Sequence, residues 1–210
     1  AAVGQLFTTV MPKAKVVALS GGDAGKARLL AAMPGASHLH LATHGYFDAS
    51  LGKAQWRPAG GLAATPAATA LLAPQVLCGL ALAGANGTTD ATGRHAGIVT
   101  AEELATLDLT RCELVVLSSC EGSAGLAARG FGLASLRTAF CGAGARCVVA
   151  SSWRVNDEAT RALMIDFYER LLRQPADRRD PHSAMWQARL AAKARGADFR
   201  DWAGWVVAGR

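Results

Sequence analysis

A histidine and a cysteine in this chain each close a short apolar run beside a glycine. The first run, His-Leu-His-Leu-Ala-Thr, ends at His44-Gly45; the second, Leu-Val-Val-Leu-Ser-Ser, ends at Cys120-Glu121-Gly122. A thiol is a weak nucleophile at neutral pH until a base or a positive environment withdraws its proton, and an imidazole beside it supplies that base. If the fold joins His44 to Cys120, the chemistry is attack of sulfur on an acyl carbon. Such a reaction also needs donors for the developing oxyanion. The backbone N–H groups of Gly45 and Cys120 are candidates, since glycine lets the backbone approach a reacting carbonyl closely. The Glu121-Gly122-Ser123-Ala124-Gly125 loop leaves Cys120 reachable.

Other chemistries compete for the same residues. His38 and His40 alternate along a strand and share a face, so with His44 they could form a three-histidine zinc cluster. A strand feeding a buried sheet would have to bury that metal, and no carboxylate follows at an informative spacing, so both read as ordinary sheet residues and no metal or other cofactor is expected. Ser118 and Ser119 lack the Gly-x-Ser-x-Gly elbow of a serine hydrolase. Gly21-Gly22-Asp23-Ala24-Gly25-Lys26 lacks the first glycine and the Ser/Thr of a phosphate loop.

The reactive residues require strands to carry them. Apolar runs bounded by glycine turns read as buried strands, which places His44 and Cys120 at carboxyl ends in an open sheet, where crevices do chemistry. Strands are expected over Val16–Leu19, Ser37–Ala42, Glu113–Ser118 and Arg146–Ser152. Helices are expected over Ala24–Met33, from the Thr100 cap to Ala105, and over Gly130–Gly142, Asn156–Leu172 and Ser183–Ala194. From Asp48 to Gly97 the chain is rich in Gly, Ala, Thr and Pro, with a β-hairpin arm near Gly79–Ala83 and otherwise an irregular stretch of the kind that is often a functional or mobile loop. Alternating strands and helices imply an α/β fold with a mainly parallel sheet.

Composition sets the outer bounds. At 210 residues the chain fits one domain, and with no initiating Met it is expected to be a piece of a longer protein. The formal charge of +6 comes from scattered basic residues, with only a modest cluster over Arg170–Arg179. A nucleic-acid partner, which needs a contiguous basic face, is not expected. Neither is a membrane partner, for no apolar run approaches the ~20 residues of a span. The five cysteines are odd in number and mostly in apolar surroundings, which points to reduced thiols in a cytoplasmic protein. Cys112, Cys141 and Cys147 read as small buried hydrophobes.

Set in order, Thr43-His44-Gly45-Tyr46-Phe47, Leu117-Ser118-Ser119-Cys120-Glu121-Gly122, the run from Gly142 to Trp153, Asp157-Glu158-Ala159-Thr160, Phe167-Tyr168-Glu169 and Trp202-Ala203-Gly204-Trp205 resemble the successive motifs of the CHAT domain. That is a caspase-like peptidase domain often found beside TPR repeats. The resemblance covers nearly the whole chain. It implies a caspase-hemoglobinase-like three-layer α/β/α sandwich, a His44–Cys120 dyad, Gly45 in the oxyanion hole, and a protein or peptide substrate. It also implies a TPR or other sensor region in the parent protein and a role in bacterial signalling or defence. Two departures stand out: the family usually has Ser-Ala-Cys-Glu-Thr where this chain has Ser119-Cys120-Glu121-Gly122, and Leu-Trp-Pro where it has Ser152-Trp153-Arg154.

In the wider caspase and separase clan, residues past this tryptophan line the pocket for the residue before the cut. The resemblance therefore offers Ser151, Ser152, Trp153 and Arg154 as substrate-binding residues, with the peptide extended along the Ser151–Trp153 edge. Arg154 either favours cleavage after Asp or Glu or is a solvent-facing arginine at a strand end. Asp157 either serves a basic residue or caps the helix beginning near Glu158. The competing functional class is a non-catalytic interaction module that keeps the peptidase fold.

Overall fold

A computed structural model describes residues 2–47, 78–87, 96–118, 131–153 and 155–210. Cys120, Arg154 and most of the expected irregular stretch lie outside them.

The apolar runs form a four-stranded sheet ordered β1 (His38–Leu41), β5 (Leu114–Leu117), β6 (Cys147–Ser151), β7 (Trp205–Gly209). The pairs β1–β5 and β5–β6 are parallel, and β7 runs antiparallel to β6. Alternation along each strand sends side chains to opposite faces. Leu39, Leu41, Val115, Leu117, Val148 and Ala150 pack in one core, together with Leu29 of helix α2 (Lys26–Ala32), Leu104 of α3 (Ala101–Ala105) and Phe140 of α4 (Phe131–Gly142). Leu114, Val116, Cys147 and Val149 pack in a second core. It includes Phe167 and Tyr168 of α5 (Asp157–Arg173), Met185 and Ala188 of α6 (Pro181–Ala194), and Trp205. Helices therefore cover both faces of a mainly parallel sheet, as expected.

A second, antiparallel sheet joins β2 (His44–Phe47), β3 (Cys78–Ala81) and β4 (Ile98–Thr100). The expected β arm near Gly79 is its middle strand. At the end of β4 the chain turns directly into α3. The Thr100 hydroxyl accepts from the Glu103 N–H at 3.1 Å and the Glu103 carboxylate accepts from the Thr100 N–H at 3.0 Å, a reciprocal cap that starts so short a helix. Glu103 also receives the Lys26 ammonium at 2.7 Å, so the lysine of the glycine-rich segment ties α2 to α3.

Several expectations are corrected. Val16–Leu19 forms no strand: Val16 and Val17 are 39% and 59% exposed, and β-branched composition without burial on a face does not make a ladder. Two elements at the chain ends carried no sequence expectation. Helix α1 (Ala2–Val10) packs Val3, Leu6 and Phe7 against the second core, and β7 closes the sheet. Cys112 and Cys147 are buried, but Cys141 is exposed near the end of α4.

Candidate functional site

The two parallel strands that precede His44 and Cys120 are neighbours in register, with Leu41 opposite Leu117. The Ser118 N–H extends the ladder by one bond, donating to the Leu41 carbonyl at 3.1 Å. His44 lies three residues beyond Leu41. It does not end a strand of the parallel sheet, as expected, but opens β2, paired with Ala81 of β3. The chain turns between the sheets at Thr43, whose hydroxyl donates to the Ala81 carbonyl. That anchor fixes where β2 begins. The His44 side chain is exposed, whereas Gly45, opposite Leu80, is buried.

Beside these strand ends lies a network that sequence reasoning passed over. Nε2 of His40 lies 3.2 Å from Oγ of Ser118, and Nδ1 lies 3.1 Å from Oη of Tyr168. Burial drives the His40 imidazole down to about 4, so it is neutral at pH 7 and can donate from one nitrogen while accepting at the other. Tyr168 is fully buried and its phenol is pushed far up by desolvation. Phe7 packs edge-on against both Tyr168 and His38, at 5.4 Å each. The strand alternation did signal that His38 and His40 share a face. It could not show that His40 uses both ring nitrogens and that His38 Nδ1 meets Ser37 Oγ at 3.0 Å. Among the described residues no three His, Cys, Asp or Glu side chains group as metal ligands.

The substrate-side residues are distributed less simply than expected. Ser151 is 2% exposed and pairs with Trp205. The Ser152 N–H donates to the Gly204 carbonyl at 2.7 Å. A peptide therefore cannot add a strand on that side of Ser151–Ser152, because β7 and the turn before it already occupy it. Trp153 is held by α7 (Phe199–Trp202): its Nε1–H donates to the Arg200 carbonyl at 2.6 Å, and its ring stacks on Phe199 at 6.3 Å. Gly204 makes that seat possible, for a Cβ there would stand 2.6 Å from the indole.

Asp157 is not the cap of α5. The Asn156 side chain accepts from the N–H groups of Glu158 at 2.9 Å and Ala159 at 3.1 Å, and Asp157 is the first helical residue, where its charge suits the helix dipole. The buried thiols of Cys112 and Cys147 are poor nucleophiles. Burial pushes Cys112 up to about 11 and Cys147 up to about 12, far from ionising at neutral pH.

A mainly parallel four-stranded sheet flanked by helices is consistent with a caspase-like fold. The model of the CHAT domain matches residues 1–210, and the chain belongs to that family of caspase-like peptidases. No curated protein matches it. No helix among the described residues is long and apolar enough to cross a membrane.

Proposed function

We propose that the chain is a cysteine endopeptidase in which His44 activates Cys120. The supporting observation is the pairing of Leu41 with Leu117, extended by the Ser118–Leu41 bond. It sets the residues leading to the histidine and to the cysteine side by side. Two residues of chain reach at most ~7 Å, so Cys120 stays close to Ser118 and to the crevice that His44 borders. His44 takes the thiol proton, and the sulfur adds to a peptide carbonyl. The oxyanion rests on the Gly45 and Cys120 N–H groups. Collapse releases the amine, protonated by the imidazole, and water then hydrolyses the thioester.

The peptide binds extended, but on the side of β6 that faces β5. Strand alternation directs the backbone groups of Ser152 to Gly204 and those of Ser151 and Trp153 the opposite way. On that side β5 ends at Leu117, opposite Ala150, and Trp153, 37% exposed, lies beyond the last paired residue. Arg154 follows the anchored Trp153 and favours an acidic residue before the cut through its fork of donors. A TPR or other sensor region of the parent protein governs access to this crevice.

The test is mass-spectrometric profiling of a peptide library incubated with the natural chain, Cys120→Ala, His44→Ala and Arg154→Ala. New termini should require both Cys120 and His44, with the His44 variant slowed about 100-fold or more. Arg154→Ala should lose the preference for acidic residues. Identical fragments from the natural chain and Cys120→Ala would end the catalytic reading in favour of an interaction module.

A further inference from the structure

The pole of the sheet opposite His44 holds a second concentration of charged side chains. The amino-terminal ends of β1, β5 and β6 meet the carboxyl end of antiparallel β7 there. Between them and the turn before α6 lies a cleft of about 70 Å³, lined by His38, Glu113, Arg146, Asp177, Arg179 and Arg210 among others. One water needs about 10–15 Å³ of such space, so the cleft has room for the head of one tetrahedral oxyanion.

Backbone geometry forces two of the guanidinium-bearing residues together. The Arg210 N–H donates to the Arg146 carbonyl at 3.0 Å, and the Arg146 N–H donates to the Cys112 carbonyl at 2.9 Å. Gly209 permits this closure: its φ is +108°, and a Cβ there would stand 2.2 Å from the Arg146 oxygen. Arg179 arrives from the far side, between the 3-10 turn Ala176–Arg178 and α6, and its Nε is buried without an acceptor. Among the described residues none of these three arginines is ion-paired. Glu113 and Asp177 are the carboxylate side chains of the lining, against three arginines, and Asp177 also lies 3.6 Å from Arg178 in an exposed pair.

A buried donor without an acceptor, as at Arg179 Nε, costs free energy, and the entry of an oxyanion would relieve it. Planar guanidinium forks match phosphate oxygens in pairs. A phosphate group, with nearly two negative charges and three terminal oxygens, fits three arginines better than a single carboxylate does.

We propose that this cleft binds a phosphate group, free or carried on a small molecule, through Arg146, Arg179 and Arg210. The site lies across the sheet from the peptide crevice, so its ligand would not touch the substrate and the proposal stands independently of the peptidase reading. The test is isothermal titration of the full chain with inorganic phosphate, and separately with adenosine monophosphate, at ionic strength held constant with chloride. Saturable binding is expected, with Kd raised about tenfold or more in Arg179→Gln, in Arg210→Gln or in both. Tighter binding of the nucleotide assigns a carried phosphate; equal or weaker binding assigns the free ion. Arg210 is exposed, Arg179 lies in a surface turn and neither belongs to a hydrophobic core, so the variants keep the fold, and circular dichroism checks this. No saturable binding to the natural chain, or binding unchanged in both variants, would overturn the proposal.

Discussion

The His40 ring reaches Ser118 across the β1–β5 pair, Nε2 to Oγ at 3.2 Å, just where both strands end and the proposed peptide crevice begins. The bond ties the segment leading to His44 to the one leading to Cys120. Burial keeps the imidazole neutral, holding the folded value at about 4 against 6.5 for an exposed ring. Between those values the unfolded chain binds a proton that the folded chain refuses. Stability is therefore full above the unfolded value and is lost as pH falls toward about 4, by about 2 kcal/mol between about pH 7 and pH 5. Urea midpoints at the two pH values measure it. His38 is lowered in the same direction, chiefly by burial, so the comparison that isolates His40 is the natural chain against His40→Gln. An undiminished pH slope in that variant would refute the assignment.

Tyr168→Phe tests the other half of the network. The phenyl ring would keep its packing against Phe7 and Phe167, while the hydroxyl that meets His40 Nδ1 at 3.1 Å would be lost. A buried ring nitrogen left without a partner costs about 1–3 kcal/mol, which chemical denaturation resolves. Combined with His40→Gln, the effects should be clearly less than additive. Strict additivity would show that the two side chains are not coupled.

Gly204→Ala should unseat Trp153. The added methyl would lie 2.6 Å from the indole, and the ring's hydrogen bond to the Arg200 carbonyl would break as it moved. Overpacking of this kind costs about 1–3 kcal/mol. Removing the ring's partner without the clash, as in Phe199→Ala, should disturb Trp153 less. Fluorescence quenching by acrylamide, set against a Trp153→Phe background, reports the change. An unaltered Trp153 signal in Gly204→Ala would mean that this glycine does not hold the seat.

These relationships divide into those a sequence can carry and those it cannot. The strands over Leu114–Leu117 and Cys147–Ser151 announce themselves because strands buried on both faces are largely apolar throughout, that over His38–Leu41 by its alternation of histidine and leucine, and the Thr100–Glu103 cap because it is a local pattern. The apolar alternation of α5 likewise marks its buried face. By contrast, the departure of β2 into a second sheet turns on Thr43 meeting Ala81, and the closure of the β6 edge on Ser152 meeting Gly204. The partners in those pairs are 38 and 52 residues apart (81 − 43 and 204 − 152), and no local pattern encodes them. His40 was legible as a residue sharing a face with His38. Its role was not, because Tyr168 reaches it from 128 residues away.

The cysteines give a last test, because their environments differ more than their sequence neighbourhoods do. At about 11 and about 12, the Cys112 and Cys147 thiols are ionised at pH 7 to only about one part in ten thousand or less, and both are also buried. Cys141 is exposed, although partial burial of its sulfur still raises its pKa. Under the proposed mechanism Cys120 alone has a base. Brief treatment of the folded chain with iodoacetamide at neutral pH should therefore modify Cys120 first and Cys141 slowly, leaving the buried Cys78, Cys112 and Cys147 intact until denaturant is added. Peptide mapping reads all five. His44→Ala should slow the Cys120 reaction about tenfold while leaving Cys141 unchanged, since only the former thiolate depends on the imidazole. Equal rates at Cys120 and Cys141 in the natural chain, unaltered by the substitution, would remove the histidine from its role as base.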